Sequence, residues 1–330
     1  MGKLKALTLA GAATAFSGAA LAADLPPPPI PAEPAPYAVP AAIEFSGWYL
    51  RGDIGIGLNE RPKFKTTPDP LLGTLSGLPV TSYDFHNSEI SASGTIGAGV
   101  GYQFNNWFRF DVTGEYRGVG GRLSAVDQLN AAGTFNGTSG GIVPVGNYPA
   151  TASLRNFYSG HVSSLVFLAN GYVDLGTWNG ITPYIGAGAG FAHNMVRGLN
   201  DTGFLYTNVN YTAGGGGVVT QGSPTGGFFS AGNKTNFAWA LMAGLGYNVS
   251  PNLKLELGYR YLNLGSFKSG RANCFNADGS FTSCLSVLST QKTASHDFRI
   301  GMRWLLGDAA PTPVHYEAPA PYPEPLVRKF

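Results

Sequence analysis

Hydrophobic and polar residues alternate along much of the chain with a period of two. In the clearest segment, 108–117, every even position holds an apolar residue, Gly or Tyr, whereas every odd position holds Thr or a charged residue. A period of two is that of a β-strand, because successive side chains of a strand point to opposite faces. The pattern predicts eight strands, at residues 48–56, 90–104, 108–117, 162–174, 183–191, 237–249, 253–261 and 298–306.

The connections between these strands alternate in length. Residues 105–106, 176–180 and 250–252 are rich in Asn, Gly, Pro and Ser, which favour tight turns. Four other connections are long and polar, at 58–87, 119–159, 194–235 and 266–294. An even number of strands with short turns on one side and long loops on the other is typical of outer-membrane barrels. With the N-terminus in the periplasm, the four long loops are expected outside the cell.

The alternation alone does not decide which face meets water. A soluble β-sandwich buries its apolar face, whereas a membrane barrel turns that face towards lipid. Here the polar face carries many Gly, Ala and Ser residues and charges of both signs, where a soluble surface would carry mostly Lys and Glu. We therefore predict an all-β fold, an eight-stranded antiparallel transmembrane β-barrel with short periplasmic turns and four long extracellular loops. A secreted β-sandwich is the alternative.

The charged residues of the polar face are predicted to form ion pairs in the barrel lumen, because an unpaired buried ion is costly. We expect neighbours on one strand, such as Arg109 and Asp111, to pair with each other. The interior of an eight-stranded barrel is just wide enough for side chains, so we expect a plugged core without a wide channel. The predicted lumen residues are Arg51, Asp53, Arg109, Asp111, Glu115, Arg117, Lys254, Glu256, Arg260, Arg299 and Arg303.

Both ends of the chain differ in composition from the barrel. Lys3 and Lys5 precede an Ala-rich apolar run that ends in Ala20-Leu21-Ala22, which predicts a signal peptide over residues 1–22. Pro-rich segments at 23–45 and 309–330 flank the predicted barrel at 46–308. Such segments favour extended polyproline II, so we expect periplasmic spacers. Docking to peptidoglycan or another periplasmic partner is the alternative.

Composition narrows the candidate chemistry. Only 12% of the residues are charged and the net charge is +2, which excludes a nucleic-acid partner bound through a basic surface. Cys274 and Cys284 lie in the fourth long loop. An oxidising compartment favours a disulfide between them, with two free thiols as the alternative. Two Cys without a nearby His make a poor metal site, and we predict neither a metal nor a cofactor.

Several short motifs occur in order along the predicted barrel. The first strand contains Gly47-Trp48-Tyr49, and Gly-Tyr pairs recur at four later positions, ending at Tyr102, Tyr172, Tyr247 and Tyr259. With these motifs and its closing strand at 296–304, the segment 45–308 resembles the eight-stranded outer-membrane β-barrel family of Gram-negative bacteria, in particular the alphaproteobacterial surface-antigen barrels. The resemblance implies a structural envelope protein and surface antigen, surrounded by outer-membrane lipids and lipopolysaccharide.

The closing strand also resembles the signal that the barrel-assembly machinery reads, which implies that machinery as a partner. The residues that fit its spacing are Arg299, Gly301, Trp304 and Leu306. Members of the family usually end at this strand, whereas this chain continues to Phe330.

Histidines leave two further functions open. His86, His161, His193 and His296 all fall near the outer ends of predicted strands. His161 and His193 belong to neighbouring strands and could lie side by side, and clustered imidazoles bind haem or metals. His161-Val162-Ser163 resembles the His-x-Ser of lipid A deacylase barrels, although no orienting acid is evident. We predict a non-enzymatic structural barrel, with a surface receptor for haem or a host ligand and a lipid A-modifying enzyme as alternatives.

Overall fold

A computed structural model describes residues 46–275, 281–284 and 286–306. The predicted signal peptide, both Pro-rich segments and residues 307–308 of the predicted barrel lie outside these ranges. No helix among the described residues is both long and apolar enough to cross a bilayer. The described helical turns are two three-residue 3-10 helices, Pro70–Leu72 and Thr212–Gly214.

Sixteen strands make up the rest of the regular structure in the described ranges. The bounds of the first eight are β1 Gly47–Asn59, β2 Phe64–Thr67, β3 Thr74–Leu75, β4 Leu78–Ile90, β5 Ser93–Gln103, β6 Phe108–Val119, β7 Arg122–Gly137 and β8 Gly146–Asp174. The bounds of the second eight are β9 Ile181–Asn210, β10 Val218–Phe229, β11 Gly232–Ser250, β12 Leu253–Gly265, β13 Ala272–Phe275, β14 Phe281–Ser283, β15 Val287–Thr290 and β16 Thr293–Leu305.

Eight of these strands close into a ring. Each pairs antiparallel with its neighbour in the order β1, β5, β6, β8, β9, β11, β12, β16, and β16 pairs again with β1. The predicted eight-stranded antiparallel barrel is therefore confirmed. The bounds differ in two ways: the predicted strand 90–104 is divided by a break at residues 91–92 between β4 and β5, and several ring strands, above all β8 and β9, are longer than predicted.

The two faces of the ring differ in the way that a lipid-embedded barrel requires. Ile300 and Trp304 of β16 are 59% and 61% exposed, whereas Arg303 of the same strand, which points to the opposite face, is 1% exposed. Ile300 pairs with Ile54 of β1, so the apolar band continues from strand to strand. Trp48 and Tyr102 pack edge to face at the turn end of the ring, as expected for an interfacial aromatic girdle.

The segments predicted as long loops contain strands of their own. β8 and β9 have 29 and 30 residues, whereas a spanning strand needs about 9–11. Beyond the ring, the outer part of β8 pairs with β7, and the outer part of β9 pairs with β10. β4 adds to β7. We call this assembly of β4, β7, β10 and the outer parts of β8 and β9 the extracellular sheet.

Candidate functional site: a closed lumen beneath an extracellular sheet

Glu256 is the centre of an ionic cluster at the lower level of the lumen. Its carboxylate oxygens lie 3.4 Å from the Arg51 guanidinium, 3.4 Å from that of Arg109 and 3.0 Å from Arg303 Nε. All four side chains are at most 4% exposed. Asp174 lies 3.1 Å from Arg109 Nε and adds a second negative charge. The two carboxylates, from β8 and β12, thus offset two of the three arginine charges, so the third needs a carboxylate from another strand.

Arg51 links this cluster to a second pair of carboxylates. Its guanidinium lies 2.8 Å from Asp53 Oδ1 and 2.8 Å from Asp111 Oδ2. Arg299 Nη2 is 2.7 Å from the other Asp53 oxygen. Asn170 donates a hydrogen bond of 2.7 Å to Asp111 Oδ1, so the remaining acceptor of this carboxylate is also satisfied.

A third ionic group lies nearer the extracellular end. Arg260 Nη2 is 2.7 Å from Glu115 Oε1 and 2.7 Å from Asp297 Oδ2. Arg117 is 2.8 Å from Asp297 and 3.1 Å from Glu115. Ser295 donates to Asp297 Oδ1. Two arginines and two carboxylates therefore form a closed four-membered network.

Aromatic rings fill the space beside these charges. The Arg109 guanidinium carbon lies 4.1 Å from the centre of the Tyr172 ring and 4.7 Å from that of Tyr184, within cation–π range. Tyr49 is fully buried and faces Gly101, where a Cβ would lie 2.6 Å from the Tyr49 hydroxyl oxygen. The cavity beside Arg51 and Tyr172 measures about 10 Å³, room for about one water molecule.

Apolar residues close the outer end of the lumen. Phe64 of β2 and Leu288 of β15 belong to a small two-stranded ribbon and are 8% and 3% exposed. They pack with Val162 and Val196, which face inward at the top of the ring. We call this cluster the apolar plug; it consists of Phe64, Ile90, Leu123, Ala125, Tyr158, Val162, Val196, Leu199, Phe229, Phe267, Ala272 and Leu288.

The structure brings the predicted lumen residues together but not always in the predicted pairs. Arg51 with Asp53 and Glu115 with Arg117 are ion pairs. Arg109, however, contacts Asp174 and Glu256 rather than Asp111. Alternate residues of one strand are separated by about 6.6 Å along the backbone, so an inward arginine reaches across the narrow lumen as readily as along its own strand.

Lys254 departs furthest from its predicted role. No carboxylate of the described residues lies within 4.0 Å of its ammonium group. Glu256, its expected partner, is instead enclosed by three arginines. The sequence pattern alone did not indicate that Tyr49 and Tyr184 belong to the network, although Tyr49 has the parity of the inward charges of β1 and Tyr184 has that of the small inward residues of β9.

The closing-strand residues divide between the two faces. Arg299 and Gly301 face the lumen, where Arg299 pairs with Asp53 and a Cβ on Gly301 would meet the Asp53 carboxylate. Trp304 and Leu306 are 61% and 56% exposed on the outward side. Their recognition by the assembly machinery stays a prediction.

His161 and His193 do not lie side by side. His161 pairs with Arg197, whereas His193 pairs with Leu165, four residues further along β8. The alternative that the two imidazoles converge is therefore not met, since four residues correspond to about 13 Å. No hydrogen bond joins His161 and Ser163, and no group of three or more His, Cys, Asp or Glu in the described ranges is arranged to hold a metal ion.

A disulfide joins Cys274 and Cys284, as the sequence predicts. The Cα atoms are 5.8 Å apart, within the usual range for a disulfide. Cys274 belongs to β13, which pairs with β10 of the extracellular sheet. Cys284 packs against the apolar plug, so the bond connects the fourth loop to the cover of the lumen.

Two carboxyl groups of the extracellular sheet are shielded from water, Asp127 buried and Asp201 half-buried. Asp127 accepts hydrogen bonds from the Tyr158 hydroxyl at 2.8 Å and the Tyr83 hydroxyl at 3.3 Å. Burial raises the pKa of Asp127 above its usual value. Burial, together with the nearby charge of Asp127, raises the pKa of Asp201 to about 7. The Asp201 carboxyl therefore changes its charge near neutral pH.

A closed ring of eight antiparallel strands with an apolar outer face and an ion-paired lumen defines an outer-membrane β-barrel. The family model for the outer membrane protein beta-barrel domain matches residues 8–283. The chain belongs to this family, and it is a protein of the outer membrane.

Individual relatives extend the comparison. An uncharacterised protein of Brucella suis biovar 1 is 30% identical over 266 residues, covering 78% of this chain and 80% of the relative. A protein of Rickettsia bellii described as a putative adhesin is 25% identical, covering 78% and 87% of the two chains. The crystal structure of Neisserial surface protein A is similar over 79% of this chain and 97% of that protein, with 16% identity and a TM-score of 0.30.

Replacing Glu256 by Gln should destabilise the folded barrel by about 3–5 kcal/mol, because three buried guanidinium groups would lose a shared counter-charge. The urea midpoint for loss of heat-modifiable migration in SDS gels measures the effect. Lys254→Gln is the matched control, because this side chain has no carboxylate of the described residues within 4.0 Å. Equal midpoints for Glu256→Gln and the unaltered protein would contradict the central role of Glu256.

The extracellular sheet should become less stable as pH rises from about 4 to about 7. The pKa of Asp201 is about 7 in the folded chain against a usual value of 3.8. Between these pH values the folded state holds a proton that the unfolded state has released. The contribution of Asp201 to the stability of the folded state is therefore fully present below about pH 4 and is lost as the pH rises through about 7. Hydrogen exchange of β9 and β10 amides, corrected for intrinsic rates, should show greater protection at pH 5 than at pH 8.

Asp201→Asn should reduce this pH dependence, since Asn does not titrate, whereas the raised pKa of Asp127 remains in the sheet. The control is Asp84→Asn, because the Asp84 side chain is 76% exposed. If protection is independent of pH in the unaltered protein, the half-buried Asp201 carboxyl does not control the stability of the sheet.

Proposed function

We propose that this protein is a structural, non-enzymatic barrel without an open pore, which supports the outer membrane and displays its extracellular sheet as a surface antigen. The observation that carries the proposal is the contrast between the two ends of β8 and β9. Within the ring these strands enclose a lumen filled by ion pairs and aromatic rings. Beyond the ring they continue as paired strands that carry a sheet away from the membrane.

Attachment to another surface is the second candidate. The turn between β7 and β8 carries Ile142 and Val145, which are 80% and 71% exposed. Val218 at the start of β10 is 59% exposed and pairs with Asn210 of β9. Exposed apolar residues at the end of a supported sheet are suited to binding another macromolecule. The description of the Rickettsia bellii relative as a putative adhesin supports this candidate.

The two alternatives from histidine have less support. A haem receptor would need imidazoles that converge, whereas His161 and His193 are separated along their strands. A deacylase would need the His161 ring to activate a serine, and no hydrogen bond links it to Ser163. Neither alternative is part of the proposed function.

The purified protein should produce no stable conductance steps in planar lipid bilayers, because the lumen cavity beside Arg51 holds about one water molecule. An open porin in the same bilayers is the positive control, and heat-modifiable migration verifies that the sample is folded. Reproducible steps from folded protein would refute the closed-lumen proposal.

A peptide tag inserted between Gly140 and Gly141, in the β7–β8 turn, should bind antibody on intact cells. The same tag between Asn105 and Asn106, in the short β5–β6 turn, should bind only after permeabilisation. If the protein also mediates attachment, the Gly140 insertion lowers cell adherence and the Asn105 insertion does not. Tags that label intact cells equally at both positions would contradict surface display of the extracellular sheet.

A further inference from the structure

Six cationic side chains line one groove at the extracellular rim of the ring. The groove has a volume of about 1170 Å³ and lies between the β1–β2 connection, the start of β11 and the segment between β12 and β16. Its cationic residues are all exposed and are Arg61, Lys63, Lys65, Lys234, Lys268 and Lys292.

These cations differ from those of the lumen in having no carboxylate counter-charge in the part of the chain that the structure describes. No carboxylate of the described residues lies within 4.0 Å of any of the six. The one acidic lining residue, Glu60, lies 3.3 Å from His296 instead. Lys234 donates to the Ser266 hydroxyl at 2.7 Å, which leaves its charge unneutralised. In a chain with a net charge of only +2, this concentration of positive charge attracts anions.

Four of the cations are held near one another by the backbone. Lys65 of β2 pairs with Ser289 of β15, and Lys268 forms a further bridge with the same Ser289. The Gln291 amide donates to the Lys63 carbonyl at 2.8 Å, which places Lys63 beside the segment that contains Lys292. The ribbon of β2 and β15 is anchored to the lumen because its residues Phe64 and Leu288 pack within the apolar plug. The charges are therefore gathered before any ligand arrives, which lowers the entropic cost of binding.

The same groove has an apolar edge. Phe237 and Trp239 of β11 line it and are 68% and 37% exposed. They lie on the lipid-facing side of the strand, above Leu241 and Leu245, which are 54% and 47% exposed. Lys234 of the same strand lies nearer the extracellular end than either aromatic ring. The groove therefore spans the boundary between hydrocarbon and head groups, with aromatic rings below and cations above.

We propose that this groove binds a phosphorylated glycolipid of the outer leaflet, with its phosphate groups among the lysines and its acyl chains beside Phe237 and Trp239. A phosphate would supply the negative counter-charge that no carboxylate of the described residues gives these six cations. Clustered Lys and Arg at a membrane surface recognise anionic lipid head groups. The aromatic edge favours a lipid over a soluble polyanion, because a soluble ligand makes no use of side chains that face hydrocarbon.

The test uses the full chain folded in nanodiscs and lipopolysaccharide as the probe, in phosphorylated and enzymatically dephosphorylated forms. The groove variant combines Lys63→Gln, Lys65→Gln and Lys268→Gln. Its control combines Arg122→Gln, Arg155→Gln and Arg197→Gln, which removes the same charge from exposed positions of the extracellular sheet. Heat-modifiable migration verifies folding, and the single Lys65→Gln variant replaces the triple variant if the latter is not folded.

The groove variant should bind phosphorylated lipopolysaccharide at least about tenfold more weakly, whereas the control should change little. Dephosphorylated lipopolysaccharide should bind the unaltered protein as weakly as the phosphorylated form binds the groove variant. Phe237→Gln should weaken binding of the intact lipid but not of its deacylated saccharide.

Three results would overturn the proposal. Equal weakening by both triple variants would indicate an unspecific effect of charge. Equal affinity for the two forms of the lipid would show that phosphate is not recognised. Binding of a soluble sulfated polysaccharide or inorganic phosphate, with no dependence of lipid binding on the groove lysines, would assign the site to a soluble anion.

Discussion

The structure depends on the need to pair ionised groups in a lumen that excludes water. Arg109 is fully buried, and its charge is tolerable only because Asp174 and Glu256 lie within reach and two tyrosine rings cover the guanidinium. Removing either partner of such a pair leaves an uncompensated charge. The pairs also join strands that are distant in sequence, since Arg117 of β6 contacts Asp297 of β16. Closure of the ring and neutrality of its interior therefore depend on each other.

The barrel could be predicted from sequence because one side of its lumen is polar. On β1, β6, β12 and β16 the inward residues include several charged ones, and their alternation with apolar residues is plain. β8 lies against the apolar part of the lumen, where Val166 and Leu168 are buried while Leu165 and Phe167 face lipid. Both of its faces are apolar there, so the alternation is weak. The pattern therefore predicts a strand that begins at residue 162, whereas β8 begins at Gly146.

The extracellular sheet was not predictable in the same way. Its strands are rich in Gly, Ser, Thr and Asn, which are typical of loops, and its inward residues include Asp127 and Asn156, both buried. No single apolar period marks these strands. What holds them is pairing with neighbours, which depends on contacts between β7, β8, β9 and β10 rather than on local preference. The partners of individual lumen charges were also not predictable. The alternation predicts that Arg109 faces the lumen, but not that it contacts Asp174 and Glu256.

The distribution of charge separates the parts of the barrel that maintain structure from the part that is available for binding. Each of the six lumen arginines, from Arg51 to Arg303, has a carboxylate within 3.4 Å. Outside the lumen, the lysines of the rim groove are exposed and have no carboxylate of the described residues within 4.0 Å, and Phe64 anchors the ribbon that carries Lys65. Pairing would have been possible there at little cost, since exposed ion pairs form readily but contribute little to stability. No carboxylate of the described residues neutralises this preorganised cluster at the membrane boundary, which is the basis for proposing a bound anion as its counter-charge.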